Sequence, residues 1–342
     1  MSDVLGAAIL GTGDVTGGHI RAYQTNAHTE VRAILSRDRQ RAESKAREYG
    51  LTSCRAYTGL DELLKQDDIH MVSVCTPHHL HVEQAVACAQ AGKHVVVEKP
   101  VALDLASLRK LDRVIREAKV RSVVSFVLRW NPLFENIRAI LADGMIGDLF
   151  HGEVDYLHGI TKKLALYPWV RRREFGGSAL LTAGCHAVDA LRWFMRQDAV
   201  EVFSYANTSP GNPLNYEYEP NSVTLVKFAG GAMGKVAVSI ESVAPYTFPI
   251  VLMGNGGTIR DNRLFTNRWP GQSGWATIPS ILPDSGAVDQ HPFVPQIAHF
   301  VECIQAGVES HCNVADAVKT HEICLAAELS RIEGRPVSLP LA

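Results

Sequence analysis

Over the first 128 residues, short apolar runs alternate with longer segments in which apolar residues recur every three or four positions. The runs Val4–Leu10, Val31–Leu35, Cys54–Tyr57, Ile69–Cys75, His94–Glu98 and Arg121–Val127 read as strands. The segments Gly17–Gln24, Asp38–Tyr49, Leu60–Lys65, His79–Ala91 and Asp104–Lys119 read as helices, with Thr58 and Asp61 spaced as a capping box for the third of them. Val95, Val96 and Val97 follow one another with no polar alternation, as in a strand covered on both faces. Regular β-α alternation predicts an α/β fold with a doubly wound parallel sheet.

The pattern changes after about Asn131. A helix over Pro132–Ala142 precedes a strand Leu149–His158 and an apolar helix near Ser178–Met195. Strands with alternating pattern follow over Val200–Asn207, Ser222–Phe228, Met233–Ser242 and Phe248–Met253, the middle pair joined by Gly230-Gly231. Thr208–Pro220 and Asn267–Pro292 show no period, and helices Phe293–Ala306 and Val314–Glu333 close the chain. We therefore expect a first domain over 1–128 and, over 129–342, an α+β domain with a large, mostly antiparallel open sheet.

Composition narrows the function classes. The 342 residues are 46% apolar and 20% charged, as in a soluble globular protein of two domains. A net charge of −2 with no long run of one sign argues against nucleic acid and acidic membrane surfaces as partners. Seven cysteines without a Cys-x-x-Cys fit reduced thiols, and the amino terminus resembles neither a signal peptide nor a membrane span, so a cytoplasmic location is expected. His78, His79 and His81 lack the spacing of a familiar zinc set, and no metal is expected.

Two constellations carry chemistry. Gly11-Thr12-Gly13-Asp14-Val15-Thr16 follows the first strand and opens the first helix. Gly11 would allow the tight turn, Gly13 the approach of a pyrophosphate, and the first amides of the helix would bind that anion, with Thr16 standing where closest helix packing asks for Gly or Ala. An NAD-preferring protein usually has an acid after its second strand; here Ser36, Arg37 and Arg41 can hold a 2′-phosphate, with Asp38 close by. NADP(H) is thus favoured, with NAD(H) as the alternative. Lys99 stands at the carboxyl end of the valine strand, held by Pro100, where such sheets keep their chemistry. In the second half, Thr182, His186, Asp189 and Trp193 are spaced by four, three and four, a polar stripe on an otherwise apolar helix that predicts a cleft-facing side. Cys185 points away from that stripe and reads as core.

Taken in order, GTGDVT, TPHHLH at Thr76–His81, AGKHVVVEKP, Arg129-Trp130-Asn131-Pro132, GGSALLTAGCHAVDALRW and GNGGTI at Gly254–Ile259 resemble the glucose-fructose oxidoreductase, inositol dehydrogenase and MocA family over nearly the whole chain. The resemblance implies a Rossmann domain, a second domain whose open sheet forms a dimer or tetramer interface, and NAD(P)-dependent redox chemistry at a carbinol carbon of a sugar or polyol. It places the proton-transfer lysine on Lys99 and the active-site histidine on His186, with a carboxylate at Asp189. It also puts Thr76, Pro77, His81 and Glu98 beside the cofactor, and Tyr156, His158, Trp169 and Arg172 among the substrate-pocket residues, while Arg129, at a strand end, reads either as a ligand for substrate hydroxyls or carboxylate or as one half of a structural salt bridge. Many members carry Asp where this chain has Thr182, which cannot act as a base at neutral pH. Two other readings keep the cofactor: a glycosidase working by transient oxidation and elimination, and a dinucleotide-binding sensor without catalysis.

Overall fold

The computed structural model describes residues 4–283 and 291–342. Strands β1 (Leu5–Leu10), β2 (Thr29–Leu35), β3 (Arg55–Tyr57), β4 (Met71–Val74), β5 (His94–Val97) and β6 (Ser122–Val124) alternate with helices α1 (Thr16–Thr25), α2 (Arg39–Glu48), α3 (Leu60–Leu64), α4 (His81–Gln90) and α5 (Leu105–Ala118). All six strands run parallel in the order β3-β2-β1-β4-β5-β6. Chain direction across the sheet reverses between β1 and β4, the point where such sheets bind ligands beyond the carboxyl ends of their strands. The three valines of β5 are wholly buried, as their unbroken run requires.

Three local expectations are corrected. Gly59, not Thr58, precedes α3, and no side chain caps that helix, so the Thr58/Asp61 capping box does not form. The helix expected from His79 opens as one 3-10 turn over His78–Leu80 before α4 begins. The strand expected to reach Val127 stops at Val124, where the chain turns and the Phe126 amide bonds back to the Val124 carbonyl.

Beyond residue 128 come α6 (Pro132–Ala142), β7 (Leu149–Val154), β8 (Tyr156–Leu157), α7 (Tyr167–Val170), α8 (Arg173–Gly176) and α9 (Cys185–Met195). Then follow β9 (Ala199–Asn207), β10 (Asn221–Phe228), β11 (Met233–Ser239), β12 (Ile250–Gly254), β13 (Gly257–Arg260), β14 (Arg263–Thr266) and β15 (Ala276–Thr277). With the short C-terminal strand β16 (Val337–Ser338) these build a ten-stranded sheet, β15-β14-β13-β12-β7-β11-β10-β9-β16, with β8 beside β11. Its pairs are antiparallel except where β11 meets β7 and β8. One face of the sheet packs on α9 through glycines. A Cβ on Gly152 would lie 2.9 Å from Leu191 Cδ1, and one on Gly234 would lie 2.7 Å from Leu191 Cδ2. The single helix expected over 178–195 is two: Leu180–Gly184 is wound as π-helix and only Cys185–Met195 as α-helix. The aperiodic stretch expected over 267–292 holds the short β15, and its residues 284–290 lie outside the described ones.

Contacts divide the chain into two compact units, Met1–Val127 with Ala287–Val318, and Leu128–Gly286 with Lys319–Ala342. Neither unit is one continuous stretch of chain. Helix α10 (Phe293–Ala306) and the start of α11 (Val314–Glu333) return to the first unit. There the Gln296 amide donates to the Val124 carbonyl, and the Val124 amide donates to the Cys312 carbonyl, so this segment satisfies backbone groups of the edge strand β6.

Candidate active site

At the end of β1 the chain must turn within one residue. Gly11 does so at φ +109°, and a Cβ there would stand 2.5 Å from the Cys75 carbonyl oxygen, so the position requires glycine. Gly13 faces open space. Val15 precedes α1 without capping it, and the first turn carries no acid, which suits an anion at the helix start. Thr16 is wholly buried with its hydroxyl donating to the Gly11 carbonyl. Close packing falls instead to the next two residues. A Cβ on Gly17 would meet the Tyr49 hydroxyl at 2.0 Å, and one on Gly18 the Phe293 ring at 2.6 Å. Asp14 is exposed at the loop tip.

Ser36, Arg37, Asp38 and Arg41 line a cavity of about 370 Å³ at the carboxyl end of β2. Asp38 caps α2, its carboxylate accepting from the Gln40 amide at 2.9 Å. Both arginines are exposed. This donor set fits a ribose carrying phosphate, and the glycine loop fits a pyrophosphate.

Gly11, Thr76 and Lys99 follow β1, β4 and β5, adjacent strands, and so lie along one rim of the first sheet. Around Lys99 the surroundings are tightly bonded. Glu98 accepts from the Lys99 amide and faces His19 Nε2 at 2.9 Å. Burial pushes the Glu98 carboxyl up, but the His19 hydrogen bond and the charges of His19 and Lys99 outweigh it and hold it below the usual carboxylate range. One carboxylate oxygen thus faces His19 and the other the Lys99 amide. His81 Nδ1 lies 2.8 Å from the Pro100 carbonyl and its Nε2 2.7 Å from that of Thr76, so it ties the β4 loop to the segment after Lys99. Burial lowers the His81 pKa, although a ring that donates to both carbonyls must carry both protons. Thr76 donates to Gln84 at 2.6 Å, and Thr76 and Pro77 are half-buried.

In the second unit, His186 lies in the first turn of α9, 6% exposed, with its ring stacked on Tyr156 at 6.4 Å between centroids. Tyr246, Phe248 and His158 pack edge-on to Tyr156, so the ring that stacks on His186 belongs to an aromatic cluster. Burial pushes the Tyr156 hydroxyl well above its ordinary pKa, which keeps it protonated. The predicted polar stripe breaks up around this histidine. Asp189 is taken by Arg129 in a two-pronged pair of 2.7 and 2.6 Å, with side chains 3% and 1% exposed, and Thr320 donates to the same carboxylate at 3.0 Å. The Arg129 and Arg138 guanidinium groups lie over the Trp193 ring at 4.5 and 4.3 Å. Asp189 and Arg129 thus form a buried, two-pronged ion pair. Thr182 sits in the π-turn, buried, donating to the Gly176 carbonyl at 2.6 Å, which ties that turn to the loop before it. Arg172 is exposed and pairs with Glu174, and Trp169 is half-buried on α7.

A family model described as "Oxidoreductase family, NAD-binding Rossmann fold" (GFO_IDH_MocA) matches residues 5–126, and the GFO/IDH/MocA C-terminal domain matches residues 134–260. The chain belongs to this family. It is an oxidoreductase whose first domain is of the NAD-binding type. The uncharacterized oxidoreductase sll0816 of Synechocystis sp. is 33% identical over 214 residues, 62% of this chain and 57% of that protein, so the match spans a little over half of that relative. The scyllo-inositol 2-dehydrogenase (NAD(+)) of Bacillus subtilis is 24% identical over 97% of this chain and 95% of its own. The crystal structure of GenD2 from gentamicin A biosynthesis, in complex with NAD, is 25% identical, with TM-score 0.84 over 100% of this chain and 98% of that one.

Sequence reading of this family member missed the partners that are far apart in the chain. His19 and Glu98 are 79 positions apart, and Thr320 is 131 from Asp189. No local period signals such pairs. Gly17-Gly18 was the one legible clue to tight packing at α1, two glycines inside a helix where alanine would be favoured.

Proposed function

We propose that the protein transfers a hydride between a nicotinamide dinucleotide and the carbinol carbon of a sugar, polyol or related carbohydrate, with Lys99 and His186 handling the proton. The observation that carries this reading is the rim of the first sheet, where the phosphate-binding turn at Gly11 and the half-buried Lys99 follow neighbouring parallel strands. A bound nicotinamide would supply the hydride acceptor or donor. The chain's own task is the proton, because an alcohol that loses hydride must also lose its hydroxyl proton to a base. A neutral Lys99 amine accepts it in oxidation and an ammonium returns it in reduction. His186, stacked on Tyr156, is the second group for this transfer. The names of the Bacillus subtilis relative and of the NAD-bound structure support a small hydroxylated substrate and a nicotinamide cofactor.

NADP(H) is the preferred cofactor on the strength of Arg37 and Arg41 around the cavity after β2, where Asp38 also caps α2 through one carboxylate oxygen. The protein also pairs with a second copy through the open face of the ten-stranded sheet. Tyr205, Val223, Leu225 and Met233 are exposed there, with Val223 opposite Tyr205 in register. Sedimentation of Leu225→Glu at micromolar concentration tests that, and an unchanged oligomer would count against it.

Lys99→Met tests the central reading. Absorbance of reduced nicotinamide is followed against a panel of polyols, sugars and aryl glycosides, and dinucleotide binding by its fluorescence. We expect turnover to fall about 10²- to 10⁴-fold while dinucleotide still binds. Normal turnover by the variant removes Lys99 from the mechanism. Aglycone release without net reduction in the wild type would identify the glycosidase instead, and inertness towards the whole panel the sensor.

A further inference from the structure

Beneath the rim, α1, β4 and β5 contribute a buried polar chain that proton transfer by Lys99 and His186 does not require. His19 on α1 is wholly buried, with Nε2 at 2.9 Å from Glu98 Oε1 and Nδ1 at 3.1 Å from Ser73 Oγ. Ser73 Oγ in turn lies 2.7 Å from the Tyr23 hydroxyl, one turn further along α1. Burial raises the Tyr23 hydroxyl well above its ordinary pKa, so it remains a donor. The four side chains thus form one unbroken hydrogen-bonded chain, from Tyr23 through Ser73 and His19 to Glu98. The second oxygen of Glu98 accepts from the Lys99 amide at 3.3 Å. Phe293 closes the other side of the imidazole at 4.7 Å between ring centroids.

Apolar side chains of similar size would pack this space without the cost of burying a carboxylate. A charge retained there, one residue before the lysine, calls for a use. The geometry points to a positioning device: His19 and Glu98 lock the Lys99 end of β5 to α1, the helix that starts at the dinucleotide loop, so that lysine and cofactor loop keep one fixed spacing. This inference rests on the role proposed for Lys99. His19 and Glu98 are positioning residues and take no part in the proton transfer itself.

Four variants test it beside Lys99→Met: His19→Leu, His19→Gln, Glu98→Leu, and the double His19→Leu with Glu98→Leu. The readouts are kcat, KM, dinucleotide affinity by fluorescence, thermal midpoint, and the labelling rate of Lys99 by reductive methylation with and without NADPH. Dinucleotide is expected to slow Lys99 labelling in the wild type. In His19→Leu, kcat should drop on the order of 10- to 100-fold with KM and dinucleotide affinity nearly unchanged, and the protection of Lys99 by NADPH should vanish. His19→Gln, whose amide reaches Glu98 from a similar position, should restore kcat to within about fivefold of wild type.

His19→Leu strands a buried carboxylate and so risks misfolding, whereas the double variant removes both groups. The double should regain thermal stability without regaining kcat. Recovery of kcat together with stability in the double would show a merely structural pair and overturn the inference. So would a His19→Leu protein with normal kcat and normal NADPH protection. If that result accompanies an inactive Lys99→Met, only the positioning role falls; if Lys99→Met itself turns over normally, the proposed function falls first.

Discussion

The surroundings of Lys99 in the first unit and of His186 in the second are built from the same materials, yet they spend their carboxylates differently. Beside Lys99, Glu98 is one residue from the lysine, and its partner His19 comes from the helix that opens the dinucleotide loop. Beside His186, Asp189 is three residues away along the helix, but its partners Arg129 and Thr320 draw it into a saturated buried pair. In the first unit the buried acid braces a candidate catalytic group. In the second it braces the fold, and the imidazole stacks on Tyr156. A carboxylate near a candidate base is thus defined by its long-range partner and not by its spacing from the base.

The contrast can be broken most forcefully at Asp189. Asp189→Ala strands the Arg129 charge in the interior and should cost about 3–5 kcal/mol of stability. Urea unfolding measures it, and a loss below about 1 kcal/mol would mean that the pair is not the structural element described. Next comes His186→Gln, which should lower kcat about 100-fold while moving the urea midpoint little, because the site's stability lies with the Arg129 pair. Equal losses of activity and stability would erase the distinction between the two neighbours on α9.

A smaller effect is expected from pH. Burial foremost, with the charges of Arg121 and His70, lowers the His94 pKa from 6.5 to about 4. The folded protein resists a proton that the unfolded chain binds, so stability contributed by neutral His94 is full above pH 6.5 and is lost as the pH falls towards 4. Discounted for partial exposure, the loss is about 2 kcal/mol, and His94→Gln should flatten the urea midpoint over that window. Glu98 acts lower still: its depressed pKa makes its contribution present above the ordinary carboxylate range and lost only as pH drops through the folded value. Smallest is Arg41→Ala, which should weaken NADPH binding about tenfold and NADH binding hardly at all, read by fluorescence titration. Equal weakening of both would remove the 2′-phosphate from the cavity after β2.

Much of this is readable in the chain where the signal is local. The apolar runs located the strands, the unbroken valines announced a doubly covered β5, and Gly11 at φ +109° is the turn that its place after β1 demanded. The polar stripe was read less well. Thr182, His186, Asp189 and Trp193 share a face only if the helix is uniformly α, and the π-turn over Leu180–Gly184 breaks that period. Return of α10 to the first unit, with Phe293 against Gly18, had no local signal at all.

By itself the sequence determined periodicity, and through it the elements, their order, and the residues that follow each strand, because backbone hydrogen bonding and burial repeat over a few positions. Which polar group meets which was decided only by tertiary structure. Hydrogen bonds and ion pairs in a dry interior act over about 3 Å of space, and residues 60 to 131 positions apart come within that reach only after the chain has packed.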